Sequence, residues 1–465
     1  MKRAALALVM LFLLVATLPG PVTIATPRPA APYFQAGGIN LSEIDFLGDG
    51  LTAGFQDGSL HASGQMSGFS RILLERVFPL PRGGDAYFHL PLIEEPGIPT
   101  PNAMENAGLL IQDPNMCTMF ELATGKSMGL MDTSKRASNL AVPGHGMKDA
   151  VEAKWSIDPA NPSTVDTAED LILGFPYAFE APPNNTPKSQ MDTCSSNSPT
   201  IVFIWLGNND VLKAALSGKV DDTTLTPVDV FNTAAETLFR TLGKTGAQGI
   251  ILNIPDVTVF PFLISEPKLE SLTGLKSSSI TKLLGITKFD YVPVTALPTV
   301  KAIMSGQAAR KLPSDMVLTK SELKKIQKRI KLFNQKLLDL TKLNNWQFLD
   351  ASTLFSGFKT NGLDITGVGH VSTDYFGGFF SSDGIHPTKT GYAILASSII
   401  ETMRTLAPDI KKLDLMDAEF IDIATKDPAL CLVREKQSPT LDDLLKIQPA
   451  ARSAQLVITQ GRSGL

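Results

Sequence analysis

The chain has 465 residues, 42 Lys and Arg against 46 Asp and Glu, a formal net charge of -4, and 43% hydrophobic and 19% charged residues. This balance suits a globular protein with a large core, and it excludes a disordered or fibrous chain and a strongly basic nucleic-acid binder. Cys117, Cys194 and Cys431 form no CxxC or Cys/His cluster of the kind that holds zinc; their odd number leaves at least one thiol unpaired. A Cys117–Cys194 disulfide and three buried thiols are both compatible with the spacing.

Lys2 and Arg3 precede an apolar run from Ala4 to Leu18, which Pro19-Gly20-Pro21 ends. That is a secretory signal pattern, so residues 1–35 are read as signal peptide and linker, and the mature chain as secreted or periplasmic. The run is short against the roughly 20 residues a membrane-spanning helix needs, and no transmembrane domain is expected after its removal. Residues 36–404 are read as one α/β domain carrying insertions at about 78–135, 156–198 and 265–318, with a C-terminal extension at 405–465.

Within that domain the first β-rich run, Ile44–Leu47, enters the segment FLGDGLTAGFQDGSL at residues 46–60. NLAVPGHG, at 139–146, reads as a strand ending in a glycine turn that can present the Gly144 backbone N–H. Ile201–Leu206 is almost continuously apolar, as a strand covered on both faces is, and it runs into WLGNND at 205–210. Asn209 then emerges at a strand's carboxyl end, where its amide can donate to a developing oxyanion; a helix cap or turn is the alternative.

Further strands are expected at Ile250–Ile254 and Trp346–Leu349. Between them, Thr319 and Glu322 have capping-box spacing before a helix over about 320–342. Its apolar residues Leu323, Ile326, Ile330, Phe333, Leu337 and Leu340 recur at three- and four-residue intervals, so they share one face. Near the end, SSDGIHPTKTGY places Asp383 three residues before His386, a spacing that lets a carboxylate fix an imidazole's tautomer while the other ring nitrogen acts as a base.

Taken in order, GDGLTAG, NLAVPG, GNND and DGIHP resemble the blocks of the SGNH hydrolases, also called the GDSL esterase and lipase family. The resemblance covers roughly residues 43–75, 136–155, 200–260 and 318–403. It implies a flavodoxin-like three-layer α/β/α fold with a mainly parallel sheet, and hydrolysis of esters or thioesters without metal or other cofactor. The ligands it implies are acylated or ester small molecules, lipids or acetylated sugars. Carried over residue by residue, it implies oxyanion donors at the Gly50 N–H, the Gly144 N–H and Asn209, with His386 as base and Asp383 as its orienting partner.

At the position of the family's nucleophilic serine this chain has Gly50. The expectation is therefore an ester-hydrolase-like protein that keeps an ester-binding pocket but is impaired or non-catalytic, because the acyl-serine intermediate has no oxygen to form on. Two alternatives stay open. In one, an active esterase uses a water deprotonated by His386, or Ser59 of the nearby DGSL; in the other, an interaction protein uses its insertion surfaces. Against Ser59, no strand precedes Asp57, and nine helical positions would put it roughly 13 Å from the site. Asp49 reads as structural. His145 reads as an exposed loop residue, with ligand contact as its alternative, and His61, His89 and His370 have no evident partners.

Overall fold

The computed structural model describes residues 39–77, 88–95, 129–158, 167–435 and 438–460, with short pieces at 35–36, 97–98, 109–112, 119–123 and 160. The signal pattern and much of the segment at 78–135, including Cys117, lie outside the described residues.

Four parallel strands form the main sheet: β1 (Ile44–Gly48), β2 (Ile201–Trp205), β3 (Gln248–Leu252) and β4 (Gln347–Leu349), in the spatial order β4-β3-β2-β1. All five residues of β2 are at most 1% exposed, which is why that run carries no polar alternation. Phe46 of β1 stacks on Phe203 of β2 with ring centroids 4.6 Å apart. On the outer side of β1, residues 138–142 run parallel to it: Phe46 N–H donates to the Ser138 carbonyl at 2.9 Å, Leu140 N–H to the Phe46 carbonyl at 2.8 Å, and Val142 N–H to the Gly48 carbonyl at 3.1 Å. Counting this ladder, the chain visits the sheet in the flavodoxin-like order 2-1-3-4-5, and its direction reverses at β1. A crevice opens at the carboxyl ends of the strands flanking such a reversal.

The helices that build the layers and the site are α1 (Gly50–Ala53), α2 (Phe69–Val77), α3 (Met147–Glu152), α4 (Gln190–Asn197), α5 (Asn209–Ser217), α6 (Val228–Gly243), α7 (Lys320–Leu343), α8 (Ala351–Asn361), α9 (Lys389–Arg404) and α10 (Gln448–Gln460). One layer joins α3, α4, α6 and α7, and the other joins α2 to α9. In α7 the Thr319 hydroxyl accepts the Glu322 N–H while the Glu322 carboxylate accepts the Thr319 N–H, the expected capping box. The expected stripe is buried, and its Phe333 stacks on Phe231 of α6 at 3.8 Å.

Several strand ends shift by one or two residues. The third strand starts two residues earlier than expected, with Gln248 paired to Ile201, and ends two residues earlier, where the Asn253 side chain donates to Asp350 and the Ile254 N–H goes to the Asn334 side chain instead of a neighbouring strand. Leu206 leaves β2 ahead of Gly207, whose φ of +108° turns the chain toward α5. The cysteine expectations are both corrected. Cys194 is a free thiol buried in α4, so it does not pair with Cys117; burial, then the adjacent Asp45 carboxylate, push it well above the ordinary thiol range. Cys431 is disulfide-bonded, so the three are not all thiols.

The segment at 265–318 contributes a two-stranded antiparallel ribbon, Leu263–Ser265 with Tyr291–Pro293, and helices beside it. The C-terminal extension packs back on the domain: Arg76 of α2 pairs with Glu419, and α10 lies along α5. Among the described residues no helix is long and apolar enough to cross a membrane, and no three His, Cys, Asp or Glu side chains gather as a metal site would require.

Candidate active site

β1 delivers Gly48 to the carboxyl edge of the sheet, and Asp49 caps the short helix that follows. Its Oδ1 accepts the Leu51 N–H at 3.0 Å and its Oδ2 accepts Asn208 Nδ2 at 3.0 Å. Burial pushes the Asp49 carboxyl up to about 6 against the pull of these donors. Gly50 is the first helical residue, and its N–H takes no partner among the described residues, as befits an orphan donor at a helix start.

The second half of the opening segment is a separate device. Gln56 and Ser59 exchange backbone hydrogen bonds at 3.0 and 2.9 Å across Asp57 and Gly58, whose φ values are 51° and 83°. Positive φ at both central residues makes this a type I′ turn, for which Asp-Gly is the favoured pair. The turn docks on the DGIH loop. Gly58 N–H donates to Asp383 Oδ2 at 3.2 Å, and Ser382 donates to Asp57 through its N–H at 2.9 Å and its hydroxyl at 2.6 Å.

In that loop Asp383 Oδ1 accepts the N–H groups of Ile385 and His386 at 2.9 and 2.8 Å, and its Oδ2 lies 2.9 Å from His386 Nδ1. Burial pushes the Asp383 carboxyl up, but the His386 charge and these hydrogen bonds outweigh it and hold it below the ordinary carboxylate value. An ionised acceptor on Nδ1 puts the proton there and leaves Nε2 as the free nitrogen. The Phe55 ring lies against the imidazole with centroids 4.6 Å apart.

Nε2 faces Gly50. A Cβ placed on Gly50 would lie 2.4 Å from it, closer than real Cβ atoms approach anything, so the imidazole occupies part of the space a side chain at residue 50 would need. Asp383 and His386 are 0% and 3% exposed.

The three residues 208–210 each hold a different turn. Asn208 holds Asp49; Asn209 Nδ2 donates to the His145 carbonyl at 2.9 Å; Asp210 Oδ2 accepts the Met147 N–H at 2.8 Å. Burial pushes the Asp210 carboxyl up to about 6, although the Met147 N–H and Thr226 pull it down. Gly144 has φ +85°, and its N–H has no partner among the described residues. The Gly50 and Gly144 N–H groups thus take no partner among the described residues, and Asn208 and Asn209 tie the 208–210 turn to Asp49 and to the His145 carbonyl beside Gly144.

Of the expected site residues, the structure brings Gly50, Asp383 and His386 into contact and links Asn209 to the Gly144 turn. Ser59 is placed elsewhere: it is fully buried, and a Cβ on Gly97 would meet its Oγ at 2.3 Å, while the free nitrogen of His386 faces Gly50. His145 is corrected from an exposed loop residue to one 2% exposed, with Nδ1 3.0 Å from Gln190 Nε2. Gln190 also closes a pair with Gly48, accepting its N–H at 3.0 Å and donating to its carbonyl at 3.1 Å. His61 caps the helix Ala62–Ser67 and approaches Glu95, and exposed His370 pairs with Asp364. Sequence reasoning missed Asn208, Asp210, Gln190, Phe55 and Gly58; for the first two, the Asn-Asn-Asp run at a strand end was the available signal.

One solved structure, LAE5, described as an alpha/beta hydrolase enzyme from the metagenome of Lake Arreo, Spain, aligns at 11% identity and TM-score 0.36, over 80% of this chain and 98% of that one. Another, a mutant of Axe2, described as an acetyl-xylooligosaccharide esterase from Geobacillus Stearmophilus, aligns at 11% identity and TM-score 0.33, over 80% of this chain and 96% of that one. No curated protein matches the chain. The model of the GDSL-like Lipase/Acylhydrolase family matches residues 44–399, a span that contains every block of the site, and the chain belongs to that family.

Proposed function

We propose that the protein is an exported member of this family that binds an acyl ester in its oxyanion pocket but is disarmed as a serine esterase. The observation that carries this reading is His386 Nε2 lying 2.4 Å from the Cβ position of a residue that has none. The ester carbonyl oxygen accepts from the Gly50 and Gly144 N–H groups and Asn209, donors that need no reorganisation. His386, oriented by Asp383, would take a proton from an attacking hydroxyl, but residue 50 supplies none. Loss of the nucleophile in serine hydrolases costs roughly a millionfold in turnover and leaves about 10³–10⁴ over water from binding and the oxyanion hole. Binding therefore outlasts turnover. Ser59 does not rescue the chemistry in this reading, because its hydroxyl lies against Gly97.

Intact-mass analysis after treatment with a fluorophosphonate, which labels activated serines, tests the assignment. The parent should gain no adduct, and Gly50→Ser should gain one at residue 50. An adduct on Ser59 of the parent, abolished by His386→Ala, would establish the displaced-serine esterase instead.

A further inference from the structure

A cavity of about 350 Å³ lies beside the ribbon Leu263–Ser265 with Tyr291–Pro293, and none of the residues discussed for the candidate active site lines it. Three separate elements each send it a lysine: Lys268 from the helix Glu266–Thr273, Lys288 from the loop before Tyr291, and Lys359 from α8. Asp374 is the one carboxylate among the lining residues. Its Oδ2 takes Lys268 Nζ at 3.1 Å, and with the Asp374 side chain 63% exposed, water screens that pair.

The other two lysines have no carboxylate within ion-pair reach among the described residues. Lys288 is exposed, and its Nζ lies 5.0 Å from the Phe289 ring centroid. Lys359 is exposed overall, but its Nζ donates to the Thr258 carbonyl, and desolvation there holds it below the ordinary lysine value against the pull of Asp256 and Asp374. Asp256 is outside the wall and already engaged: its Oδ1 accepts the Thr258 N–H and hydroxyl, and its Oδ2 accepts Gln327. The Lys359 charge is thus short of an anion.

Away from the lysines the wall is apolar. Phe260, Leu263 and Ile264 are buried residues that line the same cavity, and Ser265 and Thr373 add hydroxyl groups to it. A few charged groups converging on an apolar wall orient a ligand that has one charged end. Three lysines against one carboxylate leave a net charge of +2 in the wall, which suits a phosphomonoester, with roughly one and a half to two negative charges at pH 7, better than a monoanion.

We propose that this cavity binds a small phosphomonoester with a compact apolar body, the phosphate held by Lys288 and Lys359 and the body set against Phe260, Leu263 and Ile264. The site is independent of the ester-binding reading above and stands or falls without it.

Isothermal titration calorimetry of the full chain with phenyl phosphate and with phenol tests it. Phenyl phosphate should bind, and phenol should bind at least tenfold more weakly. Lys359→Gln and Lys288→Gln should each weaken phenyl phosphate at least fivefold, whereas Asp374→Asn, which frees Lys268, should tighten it severalfold. Lys342→Gln, near the end of α7 and outside the wall, should leave the affinity unchanged, as should Asn209→Ala. The assignment is overturned if phenyl phosphate does not bind the parent or phenol binds as tightly. It is equally overturned if Lys342→Gln weakens phenyl phosphate as much as Lys359→Gln does, which would mark overall charge without a site. Abolition of binding by Asn209→Ala would place the phosphate at the oxyanion donors and overturn it too.

Discussion

At position 50 the residue carries no side chain, and His386 Nε2 lies 2.4 Å from where a Cβ would stand. Gly50→Ser must push the imidazole away from a position held by Asp383 and Phe55, so the variant should be less stable than the parent by about 1–3 kcal/mol, the usual cost of overpacking. Urea denaturation of both proteins measures the difference. Asn208 makes a separate prediction. Truncation to Ala removes a donor from the buried Asp49 carboxyl and should cost about 1–3 kcal/mol in the same experiment. Gly50 was visible in the sequence because its neighbours Gly48 and Asp49 keep the family pattern. The close approach of His386 to Gly50 was not, since it depends on packing between residues far apart in the chain.

Two of the buried acids, Asp49 and Asp210, contribute a pH dependence. Asp49 and Asp210 have folded-state values near 6, above the ordinary carboxylate value, so the fold favours their neutral forms. Their contribution to stability is complete below the unfolded value and is lost as pH rises through about 6. Asp210→Asn keeps an acceptor for the Met147 N–H and removes the ionisation. Between pH 4 and 7 the variant should therefore gain stability relative to the parent, up to about 3 kcal/mol. Denaturation midpoints across that range check the sign. A gap that widens in the parent's favour as pH rises contradicts it. Asp383 has the opposite sign: its depressed value adds stability that is lost on acidification.

At the scale of elements, the strands and α7 were legible because burial on both faces, and on one face, leaves a pattern in consecutive residues. The four blocks were legible because each turn needs particular residue types next to a strand end. Gln190 was hidden inside a segment read as an insertion, and its pair with Gly48 joins residues 142 positions apart. The type I′ turn at Asp57-Gly58 carried a readable hairpin signal, but its docking partner, the Asp383 loop, is 325 residues away. Gly58→Ala meets both a positive φ and the Ala450 backbone, so it should disturb that docking. Faster hydrogen exchange at the Ile385 and His386 amides, which donate to Asp383, is the expected outcome.

For the whole molecule, the sequence placed the chain in an α/β architecture and left open what the residues after 405 do. They supply a cover. Removal of residues 448–465 uncovers the Gly58 and Gly144 turns and strips Val457 and Ile458 from the core, and should lower stability by about 3 kcal/mol or more. A retained melting temperature would contradict that placement.

The central claim is that an intact oxyanion cradle and base surround a missing attacking oxygen, and the kinetics of p-nitrophenyl acetate hydrolysis test it most directly. Gly50→Ser should turn the ester over at least about a hundredfold faster than the parent, and His386→Ala in that background should erase the gain. A parent that hydrolyses the ester as fast as Gly50→Ser, with or without His386, would contradict the account.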